Sequence, residues 1–114
     1  MGVQPVSDEI LRRLDGVLAD RRQADPADSY VAGLHAGGID RILRKLGEEC
    51  TETVVASKNG EHDAIVSETA DLWFHSLVML SHHGLDSGSV LAELERRFGL
   101  SGVAEKAARG KQGQ

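Results

Sequence analysis

The sequence predicts an all-α protein, built as an antiparallel bundle of helices. Apolar residues recur at helical spacing in several segments, and no segment alternates apolar and polar residues as a half-buried strand would. Aromatic residues make up only 4% of the chain, so the core must consist of aliphatic side chains, which favour closely packed helices. The short loops between the periodic segments predict antiparallel neighbours. At 114 residues the chain is expected to form one domain, residues 1–114, with a core at about 7–99 and a tail at about 100–114.

The first predicted helix runs from about Ser7 to Arg22. Ser7 precedes two acidic residues, as a helix cap precedes an acidic first turn. Apolar residues then repeat on one face, at Ile10, Leu11, Leu14, Val17 and Leu18. Pro26 ends any continuation of this helix. The apolar stretch Tyr30–Ala36, closed by Gly37 and Gly38, predicts a helical turn or a loop segment.

Two longer helices are predicted on either side of Asn59-Gly60, a dipeptide that supplies a left-handed stop. The first covers Ile39–Lys58, and its apolar stripe includes Cys50, which we expect to be a small core residue. The second covers Glu61–His83 and is apolar nearly all round after Asp71. This second helix is therefore predicted to be the most buried one.

A last helix is predicted to begin at Asp86 or Ser87 and to end at Gly99. Its apolar residues repeat at helical spacing and predict a core-facing side: Val90, Leu91, Leu94 and Phe98.

Charge and composition exclude several classes of protein. The net charge of −5 argues against a general nucleic-acid binder, because such proteins neutralise phosphates with clustered Lys and Arg. The longest apolar run, Leu72 to Leu80, is too short to span a bilayer, so no membrane partner is expected. A lone cysteine excludes an intramolecular disulfide, and the first residues lack the pattern of a signal peptide. We therefore expect a cytoplasmic protein.

Two pairs of carboxylates stand at i, i+3 spacing, Glu49 with Glu52 and Glu68 with Asp71. Each pair shares one helix face. Because the pairs lie at matched distances from Asn59-Gly60, an antiparallel hairpin brings them to the same height. Like charges repel in such an arrangement, and a hard divalent cation resolves the conflict. The pattern fits Mg²⁺, which prefers oxygen ligands, as well as it fits a solvated acidic face.

Nearby residues leave further alternatives open. His75 lies one turn beyond Asp71, and we favour a hydrogen-bonded histidine at the edge of the core over a metal ligand. Lys45 lies one turn before Glu49 and could contact a phosphate or merely offset the acids. Arg41 and Lys58 carry the same ambiguity.

Several segments together carry a resemblance to a known family. They are Ser29-Tyr30-Val31, the run from Arg41 to Glu52, Lys58-Asn59-Gly60, the run from Glu68 to Leu72, and the run from Leu94 to Arg97. Over about residues 11–109 the chain resembles the phosphoribosyl-ATP pyrophosphohydrolases of histidine biosynthesis, which belong to the all-α nucleoside triphosphate pyrophosphohydrolases. The E-x-x-E and E-x-x-D pattern of that superfamily is met by Glu49, Glu52, Glu68 and Asp71.

The resemblance implies hydrolysis of 1-(5-phosphoribosyl)-ATP to 1-(5-phosphoribosyl)-AMP and pyrophosphate by Mg²⁺-bound water. It implies that the four carboxylates hold the metal, with Glu49 and Glu52 also catalytic. Glu48 is a third catalytic candidate, either as a ligand of a second metal or as the group that orients the water. Lys45 is expected to bind substrate phosphate, with Arg41 and Lys58 as further candidates.

Two other functions remain as alternatives at this point. One is a housecleaning pyrophosphohydrolase of the same superfamily that acts on deoxynucleotides through the same carboxylates. The other is a non-enzymatic helical module that dimerises through its apolar faces. A homodimer, or a higher homo-oligomer, is expected for this protein. The long helices carry more apolar surface than one small bundle covers, and the resemblance implies a dimer because family members also form dimers.

Overall fold

The computed structural model describes residues 9–99, and within this range the chain forms five α-helices and no strand. The predicted all-α bundle is thereby confirmed. The helices are α1 (Glu9–Arg21), α2 (Tyr30–Ala36), α3 (Ile39–Asn59), α4 (His62–His82) and α5 (Ser87–Phe98). The predicted cap at Ser7 and the predicted tail at 100–114 lie outside the described residues.

Helix α2 forms where the sequence predicts only a helical turn or a loop. Ser29 has extended backbone angles and its Oγ accepts a hydrogen bond from the Ala32 N–H at 3.2 Å. This is the geometry of an N-cap, which satisfies one of the free N–H groups of the first turn. Gly38, with φ of +85°, then separates α2 from α3. A left-handed residue at this position allows two helices to follow each other with almost no loop.

Helices α3 and α4 form a long antiparallel hairpin, and each contains 21 residues. The turn is at Gly60, which has φ of +71° and whose N–H approaches the carbonyls of Ala56 and Ser57. The predicted left-handed stop is therefore confirmed. Since the loop is so short, residues equally far from Gly60 on the two helices lie opposite each other.

The hydrophobic core lies toward the end of the hairpin that is remote from this turn. Its fully or nearly buried members are Leu18, Val31, Leu34, Ile42, Leu77 and Val78. In the half of the hairpin nearest Gly60, Val54, Val55 and Val66 are 62%, 52% and 69% exposed when the described residues 9–99 are considered. A large apolar surface of the hairpin therefore faces outward in the single chain.

The expectation that Cys50 is a core residue is wrong, since its side chain is exposed. The three buried residues of α3 are Ile42, Glu49 and Ala56, which recur at every seventh position. Seven residues are close to two full turns, so these three side chains lie along one line. Cys50 follows Glu49 and points about 100° away from that line. The buried stripe of α3 is therefore narrower than the apolar pattern of the sequence predicts.

Helix α4 is buried at Leu77 and Val78, as predicted, but Trp73 is 60% exposed. The predicted core face of α5 is also more open than expected, since its apolar side chains are between 36% and 48% exposed. Val90, Leu91 and Leu94 border an apolar groove of about 290 Å³ together with Leu11 and Trp73. Amphipathic spacing identifies the apolar side of a helix, but it does not show that another helix covers that side.

Two polar contacts hold the outer helices in place. At the start of α5, Asp15 accepts hydrogen bonds from the N–H of Ser87 at 3.1 Å and from its Oγ at 2.5 Å. A carboxylate at a helix N-terminus is favourable because it meets free N–H groups. Arg22 donates to the carbonyls of Ser81 and His82 at 2.6 and 3.1 Å, which ties the end of α1 to the end of α4. Within residues 9–99, no helix combines the length and apolarity needed to cross a bilayer.

Candidate metal centre on the helical hairpin

Three of the four predicted metal ligands meet between α3 and α4. Carboxylate oxygens of Glu49, Glu68 and Asp71 all lie within 4.8 Å of one another. Glu49 is buried, Glu68 is half-buried and Asp71 is exposed, so the cluster opens from the helix interface toward solvent. Three converging oxygen ligands with one open side suit a hard divalent cation that retains several waters.

Glu49 occupies a core position of α3 although it carries a charge. It is only 3% exposed, and its Oε2 has no hydrogen-bond partner. The Oε2 of Glu68 is likewise buried without a partner. An ionised oxygen that is removed from water without compensation is strongly destabilising. These two oxygens therefore fit a metal ion, which would supply the compensation that the protein does not.

Lys45 compensates part of this negative charge. Its Nζ lies 3.3 Å from Glu49 Oε1 and 3.8 Å from Glu48 Oε1. The hydrogen bond to Glu49 raises the pKa of Lys45 above its usual value, so the ammonium form is favoured. Glu49 is thus paired through one oxygen and unpaired through the other. This division leaves Oε2 free to bind a cation.

Thr53 fixes the backbone on both sides of the cluster. Its Oγ1 donates a hydrogen bond to the carbonyl of Glu49 at 2.8 Å and lies 3.2 Å from the carbonyl of Glu68. A hydroxyl has one proton, so the two carbonyls share it. This contact links α3 to α4 at the height of the two glutamates. The sequence predicts no functional role for Thr53, although the residue lies one turn after Glu49.

His75 forms a hydrogen bond to the backbone of Asp71. As a carbonyl only accepts, the Nδ1 of His75 donates to the Asp71 carbonyl, at 2.8 Å, and its Nε2 lies 2.8 Å from the hydroxyl of Tyr30. His75 is 5% exposed, and both ring nitrogens have hydrogen-bond partners. The hydrogen-bonded interpretation of this histidine is therefore favoured over ligation.

Glu52 and Glu48 are not part of the three-carboxylate cluster. Glu52 lies on α3 about 4.5 Å nearer the turn than Glu49. There it lines a shallow cleft of about 400 Å³ together with Glu68. The side chain of Glu48 is 55% exposed and makes a long ion pair to Lys45. Both carboxylates border the centre without sharing its ligand positions.

Arg41 and Lys58, the other two predicted phosphate-binding residues, lie at different distances from the carboxylate cluster. Arg41 donates a long hydrogen bond of 3.4 Å to the carbonyl of Gly33, in the middle of α2, and its side chain lies directly over Gly37. Its positive charge nevertheless lowers the pKa of the Tyr30 hydroxyl, which lies beside the cluster. Lys58 is exposed in the last turn of α3, nine residues and thus about 13 Å along the helix from Glu49. The structure does not bring Lys58 to the cluster.

Comparison with known proteins identifies relatives along nearly the whole chain. A family model described as phosphoribosyl-ATP pyrophosphohydrolase matches residues 11–98. The phosphoribosyl-ATP pyrophosphatase of Hydrogenovibrio crunogenus is 52% identical over 110 residues, which cover 93% of this chain and 97% of that protein. The phosphoribosyl-ATP pyrophosphatase of Methylococcus capsulatus is 54% identical over 101 residues, which cover 89% of this chain and 96% of that protein.

Proposed function

The chain belongs to the phosphoribosyl-ATP pyrophosphohydrolase family, and we propose that its catalytic centre is the carboxylate cluster of Glu49, Glu68 and Asp71 with bound Mg²⁺. The enzyme hydrolyses phosphoribosyl-ATP to phosphoribosyl-AMP and pyrophosphate, a step of histidine biosynthesis. Of the alternatives, the family membership favours this activity over deoxynucleotide housecleaning and over a non-enzymatic helical module.

The observation that carries the metal proposal is the unpaired, buried Oε2 of Glu49 at a core position of α3. A position in line with Ile42 and Ala56 would be filled most stably by an apolar side chain. A carboxylate there is destabilising unless a cation meets it. The nearby unpaired oxygen of Glu68 and the open side at Asp71 complete a ligand set made only of oxygen, which suits Mg²⁺ better than zinc.

A bound divalent cation supplies positive charge to the departing pyrophosphate and activates water for attack. The chain's own residues position the reactants. Lys45, whose ammonium form is stabilised by Glu49, is placed to hold phosphate oxygens beside the cluster. Because Lys45 is only partly buried, it can contact a substrate without leaving Glu49.

We assign the remaining predicted residues to supporting roles. Glu52 lines the cleft next to Glu68, where it can act as a further metal ligand or orient the attacking water. Glu48 is placed to orient water or hold a second cation on the solvent side of Lys45. Arg41 is placed to bind the phosphate charges of the substrate that lie away from the cluster. Its charge lowers the pKa of the Tyr30 hydroxyl, so it lies near the edge of the site. Lys58 can reach the substrate only from beyond the cleft, or from a second subunit.

We further propose that the protein is a homodimer that acts in the cytoplasm. The apolar side chains near the turn of the hairpin, Val54, Val55 and Val66, are more than half exposed in the single chain. Such a patch on two adjacent helices is typical of a surface that a second subunit covers. The single cysteine and the nucleotide substrate fit a reducing compartment that is rich in ATP.

The test is release of pyrophosphate in the presence of Mg²⁺, with phosphoribosyl-ATP, ATP, dUTP and dCTP offered in matched reactions. We expect release from phosphoribosyl-ATP and its loss when EDTA removes the metal. Turnover that persists in EDTA would contradict the metal proposal. Faster release from a deoxynucleotide would instead indicate a housecleaning pyrophosphohydrolase.

A further inference from the structure

Tyr30 places an aromatic ring at the edge of the carboxylate cluster. It is the first residue of α2, and its ring plane is nearly perpendicular to that of His75, with 5.8 Å between the ring centres. The residue is 52% exposed although its hydroxyl is hydrogen-bonded. The hydrogen bond at the hydroxyl fixes the orientation of the ring, and the exposed part of the ring can contact a ligand.

The hydrogen-bond pattern shows which part of Tyr30 remains available. The carbonyl of Asp71 only accepts, so the Nδ1 of His75 carries the proton of that bond. In the neutral imidazole Nε2 is then an acceptor, and the Tyr30 hydroxyl must donate to it, at 2.8 Å. The hydroxyl proton is therefore already used. What Tyr30 offers to a ligand is its ring.

The ring also lies among the groups assigned to phosphate and metal. Burial raises the pKa of the Tyr30 hydroxyl, the charge of Lys45 lowers it, and Glu49 raises it. The charges of Arg41 and Asp71 act on it more weakly. The hydroxyl is thus close to Lys45 and Glu49, and it stays protonated at neutral pH. A ligand whose phosphates contact Lys45 would therefore lie near this ring.

The backbone that carries Tyr30 is fixed as well. Ser29 is 6% exposed and caps α2 through the Ala32 N–H, so the chain cannot rotate freely just before the tyrosine. A side chain held at its hydroxyl and at its backbone loses little conformational entropy when a ligand packs against it. Preorganisation of this kind is typical of binding surfaces.

We infer that the ring of Tyr30 stacks on the adenine base of the substrate and contributes to the binding of the nucleotide at this site. The inference rests on the proposed function for the identity of the nucleotide. Proteins that bind nucleotides stack the base on a flat aromatic side chain next to a cation that binds phosphate. Such a side chain can stack on any of the bases. The other well-exposed aromatic residues, Trp73 and Phe98, do not make this contact with His75 and belong to the outer groove or to α5.

The experiment compares two ligands that share phosphates but differ in the base. ATP and inorganic tripolyphosphate are titrated by calorimetry in the presence of Mg²⁺ into the wild type, Tyr30→Phe, Tyr30→Leu and the control Phe98→Leu. We expect Tyr30→Leu to weaken ATP binding about tenfold or more while tripolyphosphate binding changes less than threefold. Tyr30→Phe keeps the ring and should stay within threefold of wild type for both ligands, as should Phe98→Leu.

A merely structural tyrosine would give a different pattern. If it only holds His75 and α2 in place, Tyr30→Phe would be as damaging as Tyr30→Leu, and ATP and tripolyphosphate would lose affinity equally. Either result overturns the inference, as does ATP binding by Tyr30→Leu within threefold of wild type. Thermal unfolding of each variant identifies any loss of fold. If Tyr30→Leu does not fold, Tyr30→Met replaces it, with the same expectation.

Kinetics separate this inference from the proposed function. Tyr30→Leu should raise the KM for phosphoribosyl-ATP about tenfold with kcat changed less than threefold, since the ring touches no reacting atom. If the wild type releases no pyrophosphate from phosphoribosyl-ATP, the proposed function fails. The calorimetric comparison with ATP still decides the role of Tyr30 in that case.

Discussion

The Nζ of Lys45 lies 3.3 Å from the Oε1 of Glu49, one turn further along α3. This contact pairs a partly exposed ammonium with a carboxylate that is almost fully buried, and it leaves the second oxygen of Glu49 unpaired. The pair therefore holds the site together before any cation binds.

Replacing Lys45 should make the protein more dependent on metal. In Lys45→Met the buried carboxylate of Glu49 has no cation from the protein, so the metal-free form should unfold at a lower temperature. Mg²⁺ should then raise the unfolding temperature more than it does in the wild type, because it meets a larger uncompensated charge. Thermal unfolding with Mg²⁺ and with EDTA measures both effects. Equal stabilisation by Mg²⁺ in the variant and the wild type would contradict this.

Replacing Glu68 should abolish turnover without unfolding the protein. Glu68→Gln keeps the size of the side chain but removes a charged oxygen ligand, so we expect turnover to fall by at least about a hundredfold. Helix content by circular dichroism should remain unchanged. The control is Glu95→Gln, an exposed glutamate on α5 outside the cluster, which should retain full activity. Turnover of Glu68→Gln at the wild-type rate would remove Glu68 from the metal centre.

The hydroxyl of Thr53 should matter for both stability and activity. Thr53→Val has nearly the same shape but leaves the two backbone carbonyls without their shared donor, which should lower the free energy of unfolding by about 1–2 kcal/mol. Thr53→Ser restores the donor and should recover turnover. Urea unfolding and pyrophosphate release measure the two properties. A serine variant that is no more active than the valine variant would show that the hydroxyl does not position the cluster.

Acid should destabilise the protein through a pair of histidines. The Nδ1 atoms of His35 and His82 lie 3.1 Å apart with ring planes within 8° of each other, so the two rings meet edge to edge across one shared proton. Burial lowers the pKa of His35 below its usual 6.5, and the charges of Arg22 and His82 lower it further. A further proton disrupts this hydrogen bond.

Because the pKa of His35 is lower in the folded state, the unfolded chain binds more protons as the pH falls. The stability that the neutral His35 contributes is therefore complete above about pH 6.5 and decreases as the pH falls below that value toward the lowered pKa. Urea unfolding between pH 7.5 and 5 should show this decrease, and His35→Leu should flatten the curve. An unchanged slope in His35→Leu would assign the effect to other groups.

Dimerisation should depend on the exposed valines near the turn of the hairpin. Val66 is 69% exposed in the single chain, so Val66→Lys should cost little stability within one subunit. At an interface the same change buries an unpaired charge, so analytical ultracentrifugation should show monomers. The neighbouring exposed Ser67→Lys is the control and should remain dimeric. A dimeric Val66→Lys would place the interface elsewhere.

Part of the site could be predicted because it depends on local spacing. The left-handed Gly60 and the i, i+3 step from Glu68 to Asp71 together specify which faces of the hairpin meet. Sequence spacing groups Glu52 with Glu49, because it does not show which carboxylates on the two opposing helices converge most closely. Glu49 is the carboxylate that is buried between α3 and α4, because it is in line with the buried Ile42 and Ala56.

Other features depend on contacts between residues far apart in the chain. The bond from Tyr30 to His75 joins residues 45 positions apart, and no local pattern predicts it. The exposure of the apolar residues on α5 depends on whether the bundle has another helix to cover them. Amphipathic periodicity does not contain that information.

The carboxylates, Lys45 and Thr53 all lie on one helical hairpin, whose turn is at Gly60. Glu49 and Asp71 are only 22 positions apart, so the loop that brings them together is short and its closure costs little entropy. Contacts of such low sequence separation form quickly. The convergence of the three carboxylates is therefore expected to arise early in folding, and α1 and α5 then dock onto a hairpin in which Glu49, Glu68 and Asp71 already face one another.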